Sequence, residues 1–150
     1  MRLLLSALLV TLPGLALATP AEEAAAARIG YYKLVGLEMS GLSAMAKGEA
    51  PYDAEKAQAH AADLLALSGY SHDDTFAPGT SNADLPGKTR ALPAIWENLA
   101  AFQEKGMAYR DAVVALNTVA GTGAEALAPA VGKLGGTCKA CHDDYRAKDF

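Results

Sequence analysis

From Leu92 to Ala120 the residues Leu92, Ile95, Leu99, Phe102, Gly106, Tyr109, Val113, Leu116 and Ala120 recur at steps of three and four without a break. A strand needs alternation at every second residue, so this spacing commits the stretch to a helix with one face against a bundle core. Gly106 weakens the middle by about 1 kcal/mol relative to alanine but leaves the phase intact. The spacing therefore predicts one long helix over 92–120. Alanine is abundant elsewhere and strand-like alternation is absent. A first helix is expected from Ala21 to Lys47, ended by Gly48 and Pro51, and a second from the N-cap Asp53 to Ser68 before Gly69. Tyr70 to Lys88 is rich in Pro, Gly, Ser, Asn and Asp and reads as one long irregular connection. A last helix is expected from Thr122, with Glu125 completing a capping box, to Lys148, Pro129 kinking it or shifting its start. The fold class is all-α: a four-helix up-and-down bundle with one long crossover loop.

The N-terminal segment belongs to a different class. Met1 and Arg2 form a basic start, Leu3 to Leu12 an apolar run broken by Pro13 and Gly14, and Ala16-Leu17-Ala18 a small-x-small cleavage pattern. Residues 1–18 read as a secretory signal peptide, the apolar run being too short to span a bilayer. Cleavage would leave Thr19 first and one domain over 19–150, about 130 residues and enough for a single core. The 150-residue chain has a formal net charge of −4, and no cluster of Lys or Arg marks a nucleic-acid or membrane-surface site.

Near the end of the chain stand Cys138, Lys139, Ala140, Cys141 and His142. The pattern C-x-x-C-H attaches a c-type haem: two thiols on one helical turn add to the two porphyrin vinyl groups, and the next residue lies under the iron as proximal ligand. A thioredoxin-like dithiol would need a βαβ pattern, which is missing. A structural zinc site wants four ligands of the Cys and His kind, and the chain has only two Cys and three His. A disulfide at this spacing closes a small, strained loop. The cofactor expected is one haem c per chain, held by Cys138 and Cys141. Such attachment in bacteria takes place outside the cytoplasmic membrane, so the export signal and a periplasmic location agree with it.

A helical domain of this size with the motif in its last helix and Tyr145-Arg146 just after it resembles the class II c-type cytochromes, the cytochrome c′ family. Phe76-Ala77-Pro78-Gly79-Thr80, Pro93-Ala94-Ile95-Trp96 and Leu134-Gly135-Gly136-Thr137 carry the same resemblance. It implies a distal residue on the first helix, four positions after an arginine that reaches towards a haem propionate. The matching pair here is Arg28 and Tyr32, where low-spin members of the family carry Met instead of Tyr32. A phenol with an ordinary pKa of about 10 is a poor iron ligand near neutrality, which makes a five-coordinate iron the expectation. The resemblance also places Arg146 on the proximal side, beside His142, and Trp96 and Phe76 against the porphyrin edge.

The same residues have ordinary readings. Arg28, Tyr32, Val35, Met39 and Leu42 fall on one helical face, a spacing that serves a core or dimer stripe equally well. Arg146, one turn after His142, can also pair in solvent with an acid such as Asp143. Met39 and Met45 read as packing or interface residues, Met107 as core filling, and His60 and His72 as surface residues. No acid–base pair is visible that would define a reaction, so the chain is not expected to be an enzyme. Two functions remain: an open iron that binds NO and CO, with a role in nitric oxide scavenging or tolerance implied by the resemblance, or an electron carrier cycling with periplasmic redox partners. Gly36, Ser40 and Gly41 form a small-residue stripe that would let the first two helices pair in a homodimer.

Overall fold

The first helix is set by its cap. In the computed structural model, which describes residues 18–150, the Thr19 hydroxyl accepts the Glu22 N–H while the Glu22 carboxylate accepts the Thr19 N–H, a capping box that starts α1 (Pro20–Ala46). The signal-peptide segment lies outside the described residues except for Ala18. Helix α1 ends at Lys47, with Gly48 in the left-handed region at φ 72°. Asp53 accepts the Lys56 N–H at 3.1 Å and opens α2 (Ala54–Ser68), as its sequence predicts.

The long helix expected over 92–120 is broken. A short α3 (Ala94–Glu97) follows Pro93, and Asn98 then leaves helical geometry at φ −144° and ψ 77°. Its side-chain oxygen accepts the Ala101 N–H at 3.1 Å and caps a separate α4 (Leu99–Val119). A short polar side chain that satisfies a helix start competes with continuation, and periodicity alone does not register that competition. Leu99, on the expected seam, is 50 % exposed, whereas Val113, Leu116 and Ala120 at its other end lie in the core.

The capping box expected at Thr122 and Glu125 does not form. The Thr122 hydroxyl donates back to the Val119 carbonyl, and α5 (Ala124–Tyr145) begins after Gly123, whose φ of 150° is open to glycine. Helix α5 runs through Pro129 and stops at Tyr145, short of Lys148, because Arg146 turns extended and bridges Ala91. The Leu92 N–H donates to the Tyr145 carbonyl and the Ala147 N–H to that of Arg90, so the end of the crossover connection is sewn to the end of α5.

Helices α1, α2, α4 and α5 close a ring in which α1 packs on α2 and α5, and α4 on the same two. Their inner faces meet at Val35 and Leu42, Ala61 and Leu64, Val113 and Leu116, and Leu127 and Leu134. The molecule is the expected all-α four-helix bundle. Among the described residues no helix is long and apolar enough to cross a membrane.

The small-residue stripe on α1 is only partly open. Gly36 and Ser40 are exposed, but a Cβ on Gly41 would lie 2.4 Å from His60 Nε2 of the same chain. His60 is not a plain surface residue: its ring covers Gly41 while Nδ1 stands 2.7 Å from Glu38 Oε2.

Candidate haem site

Helix α5 carries Cys138 and Cys141 one turn apart, both half-buried and both free thiols. Burial pushes both above the ordinary thiol range, so each is a neutral S–H. His142 follows at the surface. Desolvation first, then the positive charges of Arg146 and Arg90, hold its pKa below the usual value and leave the imidazole neutral, the form that binds a metal. Asp143 pairs with Lys139, one turn back, and not with Arg146. Arg146 is exposed and has no ion pair among the described residues.

Arg28 is the most committed polar side chain among the described residues. It is 3 % exposed. Nη1 donates to Thr75 O at 2.8 Å and Thr80 Oγ1 at 3.0 Å, and Nη2 to Thr80 O at 2.8 Å and Thr89 Oγ1 at 2.9 Å. The Nη hydrogens expected to reach a propionate are thus all taken by the crossover loop, leaving Nε–H and the charge. Burial lowers the Arg28 pKa, and no carboxylate lies within ion-pair distance among the described residues. The guanidinium carbon is 4.8 Å from the Phe76 ring centre and 6.0 Å from that of Trp96, whose Nε1–H donates to Phe76 O at 2.9 Å. Phe76 and Trp96 are therefore joined to each other around Arg28.

Tyr32 is 42 % exposed, yet burial by its surroundings, and then nearby Cys141, push its phenol well above the ordinary value. Through His72 and Phe76, Tyr32 joins a chain of aromatic rings that ends on Tyr145, one turn after Cys141 on α5. Tyr31 meets its edge at 5.0 Å between centroids. Across the same region Phe76 packs on Phe102 at 4.9 Å and Phe102 on Tyr145 at 5.3 Å.

Two features escaped sequence reasoning. The Tyr109 hydroxyl is buried with no hydrogen-bond partner, its pKa raised by burial and by Tyr31. In the sequence it is one more apolar step of a seam. His72 is half-buried among aromatic rings instead of lying on the surface. Among the methionines, Met45 is core and Met39 packs against it, but Met107 is 58 % exposed and fills no core.

Neutral paired thiols beside a neutral imidazole, an unpartnered buried hydroxyl and a buried cation without an acid are what a tetrapyrrole with propionates would complete. A family model described as Cytochrome C' matches residues 23–146. The chain belongs to the cytochrome c′ family. A cytochrome c' of Cereibacter sphaeroides is 54 % identical over 147 residues, 98 % of each chain. A solved cytochrome c' from Rhodobacter Spheriodes is 56 % identical with a TM-score of 0.83, covering 85 % of this chain and 98 % of that one. A nitric oxide complex of a variant cytochrome c prime from Alcaligenes xylosoxidans is 35 % identical with a TM-score of 0.73, covering 85 % and 97 %. The cofactor of this cytochrome c′ family is haem c, and the two thiols of α5 fit its covalent attachment.

Proposed function

We propose that this chain is an exported, periplasmic haem c protein whose five-coordinate, high-spin iron binds NO and CO, serving nitric oxide scavenging or tolerance, with electron transfer as a companion role. Cys138 and Cys141 would form the thioethers and His142 the proximal bond. Tyr32 would wall the distal side, Arg28 and Arg146 placing positive charge on either side. Bound haem supplies an iron with one open position for a diatomic gas.

The observation that carries this reading is the condition of Tyr32. A phenol pushed above its ordinary pKa stays protonated at any physiological pH, and a protonated phenol does not hold an iron. In this reading the chain would offer haem a neutral imidazole on one side and a non-ligating wall on the other. The nitric oxide complex of the Alcaligenes relative supports the choice of gas. We read the chain as a gas binder and not an enzyme. The reduced protein should take up CO fully at neutral pH, seen as a shift of the Soret band. A ferrous spectrum unchanged by CO would contradict it.

The dimer belongs to the same reading. Leu34 and Leu37 of α1 are 51 % and 64 % exposed, and Tyr70 beyond α2 is 53 % exposed. Exposed apolar side chains of this kind favour pairing of α1 and α2 with a second copy. Leu37→Glu should shift sedimentation towards the monomer at least tenfold in dissociation constant, about 1.4 kcal/mol. Wild type that sediments as a monomer at high micromolar concentration would refute the dimer.

A further inference from the structure

Beside Tyr32 the crossover loop turns a histidine inward. The His72 ring lies parallel to that of Tyr32, with 6.4 Å between centroids and 2° between planes. Tyr31, Tyr70 and Phe76 meet it edge-on at 4.4, 5.3 and 6.0 Å. The Thr75 hydroxyl favours one of its tautomers. Thr75 Oγ1 has a single hydrogen and donates it to His72 O at 3.0 Å, so towards His72 Nδ1, 3.3 Å away, it can only accept. In the neutral ring Nδ1 therefore carries the proton and Nε2 a lone pair. The Thr75 carbonyl in turn accepts from Arg28 Nη1, which ties the histidine's anchor to the buried guanidinium.

We propose that His72 is a positioning residue for gas binding: its neutral ring holds Tyr32 across the distal side, and its protonation releases Tyr32 and admits the ligand faster. The inference rests on the open-iron reading above. The groups that face His72 are Tyr31 and Tyr32 from α1, Tyr70 beyond α2, Asp73 beside it in the loop and Arg110 from α4. Among the rings an imidazolium loses its water, and Arg110 opposes it, while exposed Asp73 alone favours it. Burial, the larger effect, holds the histidine below its usual range. An arrangement that lowers the pKa of a base binds fewer protons than the released form, so protonation must weaken it. The packed ring is fully favoured above about pH 6.5 and loses that preference as the pH falls below it. The charged ring is then drawn towards Asp73 and solvent, and Tyr32 loses its parallel partner.

The experiment is CO association with the ferrous holoprotein between pH 8 and pH 5, together with nitrogen-correlated NMR of the diamagnetic CO complex. The association rate should rise about three- to tenfold with a midpoint below 6.5, and His72→Phe and His72→Gln should each flatten the profile. The NMR spectrum at pH 8 should show His72 protonated at Nδ1. A flat wild-type profile, the same rise in both variants, or a proton on Nε2 would overturn the proposal. CO binding with a flat profile removes only this inference, whereas absence of CO binding at every pH removes the open-iron reading and this one with it.

Discussion

Arg28→Leu should lower the unfolding free energy by about 2–4 kcal/mol, a large loss for a substitution that removes no core side chain. The side chain spans from the first helix to three separate points of the crossover loop, and its four Nη hydrogens meet four acceptors there. Leucine fills much of the volume but leaves the carbonyls of Thr75 and Thr80 without donors in a buried setting. The hydroxyls suffer less, because Thr89 Oγ1 also accepts the Ala91 N–H and Thr80 Oγ1 donates to the Ala77 carbonyl. Release of the guanidinium's own desolvation cost is the term that limits the loss. Urea denaturation of the holoprotein measures the midpoint, and hydrogen exchange over 75–91 should rise before the bundle opens. Arg28→Lys should fall between the two, since an ammonium has three donors and no fork. A loss below about 0.5 kcal/mol for the leucine variant would mean that the loop is held by its other bonds.

Tyr32→Met should have the largest effect on the iron. A thioether on the same turn of α1 is a neutral ligand that needs no deprotonation, whereas the Tyr32 phenol is held protonated by its burial. The variant should move towards a six-coordinate, low-spin state, and CO association should fall by at least about tenfold, because the gas must displace a tethered sulfur. Tyr32→Ala should leave the spin state alone and speed association by removing the wall. A methionine variant that stays high-spin with unchanged CO kinetics would show that position 32 does not face the iron.

Helix type and bundle class were legible because 3.6-residue periodicity survives in any buried helix face, as Val113, Leu116 and Ala120 show. The breaks were less legible. Asn98 starts a new helix through local cap geometry while the pattern of apolar residues runs through it, and Gly123 starts α5 one residue after the Thr122 cap expected there. The attachment motif is contiguous on one turn of α5, so it was readable without any tertiary knowledge. Arg28 was readable only as a position four residues before Tyr32. That its fork is spent on Thr75, Thr80 and Thr89 depends on partners 47 to 61 residues away. His72 and His60 were misread as surface side chains for the same reason. Polar flanking residues predict exposure, but the Tyr31 and Tyr70 rings around His72, and the bare backbone of Gly41 under His60, come together only in the fold.

The most direct test of the open-iron account is the resonance Raman spectrum of the wild-type holoprotein in its ferric and ferrous states at neutral pH, before any gas is added. The account predicts five-coordinate, high-spin marker bands in both states, with His142 the sole axial protein ligand. Six-coordinate, low-spin bands in the ferrous protein would contradict it and hand the distal position to a methionine or histidine.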